Sequence, residues 1–503
     1  MLAAVDSCTL AGLDVRRVEV QADIARGQVK FLLVGLAATS VKEARERVRS
    51  AIKNSGLEFP QSRLTVNLAP AELRKEGSRL DLPIAVAIAL ARTGKRPPPH
   101  TAFLGELALD GAVCHVDGVL VAALGLRKLG YERVFVPAAN AAEAALVDGL
   151  AVMPCASLKA LVDHLLGVQT IEPHVRGGTG LGAGPEVNEH DLAEVHGQEE
   201  GRRALEIAAA GGHHLLLSGP PGAGKTMLAR CLPGILPPLE LAEALEVAQV
   251  RSLLGELRDH SPLGWARPFR SPHHGVSSAG LIGGGTGLAQ PGEISRSHHG
   301  VLFLDELAEF QAPVLQALRQ PLETGRVTIT RSGGSVSYPA RFTLVAATNP
   351  CPCGWAGDPV RSCRCSPGAI DSYQRRLSGP LLDRIDLKVA VRRIKLETLA
   401  SEPTGEGSAP VRERVVAARA RQVARQGCLN ALLRPARLRQ LAALEPASRR
   451  TLERWAEQRG LTARGFHRAW RVARTSADLD GADQIGERHI LEALGYRLQD
   501  VAA

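Results

Sequence analysis

Aromatic residues make up only 3% of this 503-residue chain, too few for a binding surface built mainly on stacked rings. Long hydrophobic runs are missing too. The longest, Leu82 to Ala91, falls short of the roughly 20 apolar residues a spanning helix takes. The N-terminus carries Asp6 and Asp14 early and lacks the basic-then-apolar pattern of a secretory leader. The nine cysteines are odd in number and thinly spread outside one cluster, unlike a secreted disulfide framework. Together these absences predict a soluble, cytoplasmic protein with no membrane partner.

What is present is ordinary in bulk: 45% hydrophobic and 22% charged residues, in a chain long enough for two to four domains with their own cores. The net charge of +9 points to a polyanion such as nucleic acid as partner. An arginine-rich chain with solvated surface charges would show the same balance, and both readings stand at this level.

Two stretches rich in Gly, Pro, Ser and Thr read as linkers, residues 168–190 (with GGTGLGAGP) and residues 401–410 (SEPTGEGSAP). They divide the chain into residues 1–167, 191–400 and 411–503. In the N-terminal region, VEVQADIARG and QVKFLLVGL read as strands joined by a Gly-containing turn. Ser40 to Asn54 reads as a helix with Val41, Ala44, Val48 and Ala51 on one face. LTVNLAP follows as a strand and DLPIAVAIALART as a buried helix, giving an α/β pattern. The middle region opens with a helix, EVHGQEEGRRALEIAAAGG, then alternates helical stretches with short apolar strands that end in polar residues. That is the layout of a parallel sheet with its active edge at the strand C-termini. The C-terminal region reads as a small helical bundle.

Gly219, Pro220, Pro221, Gly222, Ala223, Gly224, Lys225 and Thr226 match G-x-x-x-x-G-K-[ST] between an apolar strand and a helix, the context of a phosphate loop. Glycines let backbone N–H groups converge on phosphate oxygens, and the helix N-terminus adds its positive end. Lys225 then neutralises the β and γ phosphates and Thr226 ligates magnesium. In VLFLDE a buried strand delivers two carboxylates. Asp305 is the second magnesium ligand, and Glu306 polarises the attacking water. The next strand ends at Asn349, whose amide is placed to bond the water or the γ phosphate; a turn residue before Pro350 is the plainer role.

Cys351, Cys353, Cys363 and Cys365 form two C-x-C pairs. Four clustered thiolates can hold tetrahedral zinc, although C-x₂-C is the commoner spacing; reduced thiols in a tight loop are the alternative. RVTITR and SVSYPARF alternate around Gly333 and Gly334, a hairpin signature.

The phosphate loop, the DE strand and the ATNP strand, in this order, resemble the AAA+ superfamily, and GPLLDRIDL (379–387) resembles the arginine-finger segment of its magnesium-chelatase and MCM-related clade. NLAPAELRKEGSRLDLPIA, FRSPHHGVS, PGEIS, FLDELAEF, LRQPLE and NPCPCG resemble the ComM/YifB family of magnesium-chelatase-like ATPases over nearly the whole chain. The resemblance implies an α/β AAA+ core, an N-terminal S5/Lon-protease-like α/β domain and a C-terminal helical lid. It further implies ATP and Mg²⁺ as cofactors, and a homo-oligomeric ring, a hexamer, that drives branch migration of DNA in recombination and natural transformation. Arg384 matches the finger that reaches a neighbour's γ phosphate. Arg464 matches the second sensor arginine, with Arg468 and Arg471 as near neighbours. The hairpin with Arg331, and the insertion with Arg270, His273 and Gly283 to Gly285, match pore loops; an edge hairpin and structural or metal-binding histidines are the alternatives. GAVCHVDGVLVAAL and VFVPAAN resemble strands and turns of the Lon-type domain, but the nucleophile and lysine positions hold Arg79 and Ala122. Without a Ser–Lys pair there is no activated nucleophile, so the domain is read as non-proteolytic, with Lys75 and Arg79 offered to DNA. A protein-remodelling ATPase is the main alternative function, and an ATP-dependent protease the disfavoured one.

Overall fold

The computed structural model describes residues 1–35, 39–73, 75, 77–175, 189–257, 263–285, 289–331, 334–377, 379–394 and 405–497. The GGTGLGAGP stretch of the first linker and residues 401–404 of the second lie outside them.

The N-terminal region is built on a seven-stranded mixed sheet in the order Lys30–Val34, Arg63–Ala69, Asp14–Ala25, Leu2–Ala11, Thr101–Phe103, Arg133–Pro137 and Ala151–Cys155. Asp14–Ala25 and Lys30–Val34 are consecutive in sequence but not neighbours. Arg63–Ala69 lies between them, antiparallel to the first and parallel to the second, so the connection is a crossover and not a hairpin. Sequence reasoning missed the strand Leu2–Ala11, which pairs antiparallel with Asp14–Ala25 along its whole length. The helix Thr39–Asn54 buries Ala44, Val48 and Ala51 as its periodicity requires; the side chain of Val41 lies outside the described residues. The helix Asp81–Thr93 is buried on nearly every side and ends at Gly94 in the left-handed conformation. One expectation fails here: GVLVAAL forms the helix Val119–Lys128, not a strand. Its apolar run is continuous, and a run of that kind does not by itself separate a buried strand from a buried helix.

The middle region carries five parallel strands in the order Phe269–Arg270, Val301–Leu304, Thr343–Thr348, Leu215–Ser218 and Leu387–Ala390. Leu215, Leu217, Val301, Phe303 and Val345 are buried together with the helices Glu199–Gly211 and Lys225–Ile235. Leu216, Leu302 and Leu344 are buried on the opposite face. Covering both faces is why these strands read as solid apolar runs. Each such leucine contributes about 1.5–3 kcal/mol on leaving water.

The described residues beyond 404 form helices and no strand. Helix Ser408–Gln426 begins inside the stretch read as the second linker. Ser408 is buried, its Oγ accepts the Leu192 N–H at 2.8 Å, and its own N–H donates to Asp191 at 3.0 Å. The first linker is also partly anchored, since the His174 N–H donates to the Val152 carbonyl at 2.7 Å. Val411, Val415 and Trp470 share one core with Leu205 and Leu228, so the C-terminal helices pack on the phosphate-loop half of the sheet. The helix Leu241–Leu253 joins the N-terminal region, packing Val247 and Ala248 with Val119 and Leu120.

Candidate nucleotide site

Parallel strands bring the phosphate loop, the acidic pair and Asn349 to one edge. Ser218 lies level with Thr348, and Leu304 with Ala346, so the residues that follow all three strands emerge together. Gly222 and Gly224 turn the loop at φ +75° and +92°, where glycine alone is unstrained. The helix Lys225–Ile235 starts on Gly224.

The Lys225 ammonium, largely buried, donates to the carbonyls of Gly219 at 2.7 Å and Pro220 at 2.9 Å, and to Oδ1 of Asn349 at 3.1 Å. Burial pushes its pKa down, while the charges of Asp305 and Glu306 hold it up. Thr226 Oγ1 donates to Asp305 Oδ2 at 2.8 Å, and the other oxygen of Asp305 accepts the Glu306 N–H at 2.9 Å. A hydroxyl and a carboxylate oxygen meeting at the end of a phosphate loop are hard oxygen donors of the kind magnesium takes. Glu306 adopts φ +51°, uncommon outside glycine, and its Oε2 lies 3.4 Å from Nδ1 of His274.

Sequence reasoning missed Gln198. It sits at φ +53° just before the helix Glu199–Gly211. Its amide donates to the Ala223 carbonyl at 3.0 Å and the Arg392 carbonyl at 2.6 Å, tying the phosphate loop to the segment after strand Leu387–Ala390. No local signal marks a glutamine whose partners lie 25 and 194 residues away.

Arg384 stands at the other end of the sheet. It precedes Leu387, which is level with Leu215 at the start of the phosphate-loop strand. A strand of this length separates it from its own Lys225 by roughly 10 Å or more. Its guanidinium pairs with Glu323. Arg468, on the helix Ala463–Leu479, donates to the Arg384 carbonyl at 2.7 Å and to Asp386 at 2.6 Å. Burial works to raise the Asp386 carboxyl, but the charges of Arg468 and His213 outweigh it and hold the group well below the usual carboxylate range. Arg464 lies in the first turn of the same helix and is exposed, whereas Arg471 is half-buried.

The strands Arg326–Arg331 and Gly334–Pro339 form the expected hairpin, with the Gly333 of its turn outside the described residues. Arg331 donates to the Gly285 carbonyl at 2.9 Å, so the hairpin end and the glycine insertion meet. Arg270 is held by Glu293 at 2.7 and 2.9 Å. The expectation for Lys75, in the N-terminal region, is corrected. This lysine is fully buried, its ammonium bonded to the carbonyls of Gly35 and Pro70, and is not offered to DNA. Arg79 is drawn inward beside Cys8 and Asp117. Ser78 donates to a carboxylate, Glu106, and Ala122 is buried in a helix.

The sulfurs of Cys351, Cys353 and Cys363 lie 3.4 to 3.7 Å apart, and Cys365 completes the group. Backbone N–H groups of Arg364 and Trp355 pull the Cys353 thiol down. The Cys365 N–H works to lower Cys363, but desolvation and hydrogen bonds with neighbouring sulfurs push it up.

Comparison with known proteins gives the family. Residues 191–399 match the family described as magnesium chelatase, subunit ChlI. Residues 20–140 match subunit ChlI of Mg-chelatase, and residues 405–497 its C-terminal family. The chain is 43% identical to an uncharacterized protein YifB of Escherichia coli over 99% of its length and 97% of the relative's. It is 44% identical to competence protein ComM of Haemophilus influenzae over the same shares. A magnesium-chelatase 38 kDa subunit of Rhodobacter capsulatus is 27% identical over 32% of this chain and 50% of the relative. The chain belongs to the ComM/YifB family of magnesium-chelatase-like AAA+ ATPases. Among the described residues no helix is long and apolar enough to cross a membrane.

Proposed function

We propose that this protein is a cytoplasmic, ATP-driven ring motor that moves along DNA and migrates branched junctions during recombination and uptake of DNA. The observation that carries the motor is the meeting of Lys225, Thr226, Asp305 and Asn349 at one sheet edge, with Arg384 at the opposite end. Lys225 neutralises the β and γ phosphates of ATP. Thr226 and Asp305 hold magnesium, which supplies charge neutralisation at the transferring phosphoryl group. Glu306 orients the water, and Asn349 fixes Lys225 and the γ phosphate. Because Arg384 lies at the opposite end of the sheet from its own phosphate loop, it serves a neighbour's site, which calls for a closed homo-oligomer; six copies is the number proposed. Arg464 is the second sensor. The four cysteines add a structural zinc.

Support for DNA comes from the net charge of +9, the Arg331 hairpin end resting on the glycine insertion, and kinship with a protein named for competence. The N-terminal region is a non-proteolytic relative of the Lon-type fold. A Ser–Lys dyad needs a lysine at the serine, and here Ser78 bonds Glu106 while Lys75 bonds backbone carbonyls. A second reading, a protein-remodelling ATPase, is favoured by the matches to chelatase subunit families. ATP hydrolysis measured with duplex, single-stranded and four-way junction DNA separates the two. The motor predicts strong stimulation, greatest with the junction and lost in Lys225→Ala. Hydrolysis indifferent to every DNA sinks it in favour of remodelling.

A further inference from the structure

The cysteine loop does not hang free beside the nucleotide site. Cys351 follows Asn349 by two residues. Gly354, at φ +82°, passes so close to the phosphate loop that a Cβ on it would stand 2.6 Å from Cδ of Pro221. Its N–H donates to the Cys351 carbonyl at 2.9 Å, closing a turn around the first two cysteines. The ring of the next residue, Trp355, meets the guanidinium groups of Arg361 at 4.6 Å and Arg393 at 5.9 Å. Arg393 belongs to the segment that borders the phosphate loop on its other side: the Val391 carbonyl would stand 2.1 Å from a Cβ on Gly219, and the Arg392 carbonyl takes a bond from Gln198. The loop therefore touches the nucleotide site at Asn349, at Pro221 and through Arg393.

The sulfurs themselves are arranged for one metal ion. A tetrahedron of Zn–S bonds of about 2.3 Å has edges of about 3.8 Å. The measured separations of 3.4, 3.6 and 3.7 Å approach that edge. They are far longer than a disulfide of about 2.05 Å. Backbone N–H groups reach two of the sulfurs, Ala356 to Cys351 at 3.3 Å and Cys365 to Cys363 at 3.4 Å. Such donors orient the sulfurs as ligands. Four thiolates this close repel one another, and a divalent cation offsets that repulsion.

We infer that zinc held by Cys351, Cys353, Cys363 and Cys365 braces the Gly354 turn against Pro221, so that metal loading sets the geometry in which the phosphate loop and Asn349 receive ATP. This rests on the structural zinc included in the proposed function and adds to it a consequence for nucleotide binding. The metal takes no part in phosphoryl transfer. It positions the groups that do.

The test uses the full-length protein. Metal content is measured by mass spectrometry, and affinity for a fluorescent ATP analogue is measured before and after zinc is released with a thiol reagent and chelator, then after zinc is restored under reducing conditions. The expected result is one zinc per chain and binding about tenfold weaker on release, recovered on restoration. Gly354→Ala leaves every thiol in place and crowds Pro221. It should keep its zinc yet bind the analogue several-fold more weakly, and Trp355→Ala, which loses the Arg393 contact, should do so to a smaller degree. Protein purified without zinc, or with iron in its place, overturns the metal assignment itself. Zinc bound, with analogue affinity unchanged in the depleted protein and in both variants, leaves the metal standing and overturns its coupling to the nucleotide site.

Discussion

Two buried lysines in this chain make nearly the same hydrogen bonds in different surroundings. Lys75 donates to the carbonyls of Gly35 and Pro70, and Lys225 to those of Gly219 and Pro220. Burial lowers the pKa of both. The difference lies around them. Lys225 begins a helix, follows a glycine loop, faces Asn349 and feels the charges of Asp305 and Glu306. Among the described residues Lys75 feels the opposing charge of Glu72, and the serine nearby is bonded to Glu106. A buried ammonium on backbone carbonyls is thus a structural pin unless phosphate-binding N–H groups and a magnesium site converge on it.

The sharpest way to break this comparison is to remove each cation in turn. Lys225→Ala should lower ATP hydrolysis by about a hundredfold or more in steady-state assays, through loss of charge stabilisation at the phosphates. Lys75→Met should leave hydrolysis near the wild-type rate and cost the N-terminal region about 1–3 kcal/mol in a denaturant melt, by removing its hydrogen bonds to the Gly35 and Pro70 carbonyls. Equal catalytic losses would contradict the distinction.

Arg384→Ala should lose hydrolysis by about a thousandfold while retaining nucleotide binding. Mixing it with Glu306→Gln subunits should restore some of the activity, because some interfaces then pair an intact finger with an intact acid. Gln198→Ala should have a smaller effect, about thirtyfold at most on analogue affinity, from losing two bonds worth about 1 kcal/mol each.

The smallest effect is on stability against pH. His214 and His298 accept the N–H groups of Leu344 and Arg341 at Nδ1, so both are neutral in the fold. Burial lowers each to about 4 from 6.5, aided in His298 by the charge of His299 and opposed by Glu246. The unfolded chain binds the extra protons between those values, so this contribution is whole above about pH 6.5 and lost as pH falls toward 4. Melting temperatures should decline through that window, and less so in His298→Gln.

The sequence carried the candidate nucleotide site where its residues are contiguous. The phosphate loop and the DE strand are read directly because backbone geometry and metal ligation need those residues at those spacings. What could not be read depends on distant pairing. Gln198 acts across the sheet, Arg468 holds the Arg384 backbone from a C-terminal helix, and Trp355 meets Arg393 only once the cysteine loop folds over the site. The strand order of the N-terminal region was hidden for the same reason, since Arg63–Ala69 inserts between two strands adjacent in sequence. Lys75 is not legible because nothing in the stretch PAELRKEG signals that its ammonium turns inward to the carbonyls of Gly35 and Pro70.

The measurement that bears most directly on the whole account is branch migration of a synthetic mobile four-way junction by the purified protein. The account predicts ATP-dependent conversion of the junction to two duplexes, abolished in Glu306→Gln although that variant still binds ATP and DNA. Vigorous ATP hydrolysis without any movement of the junction would contradict it.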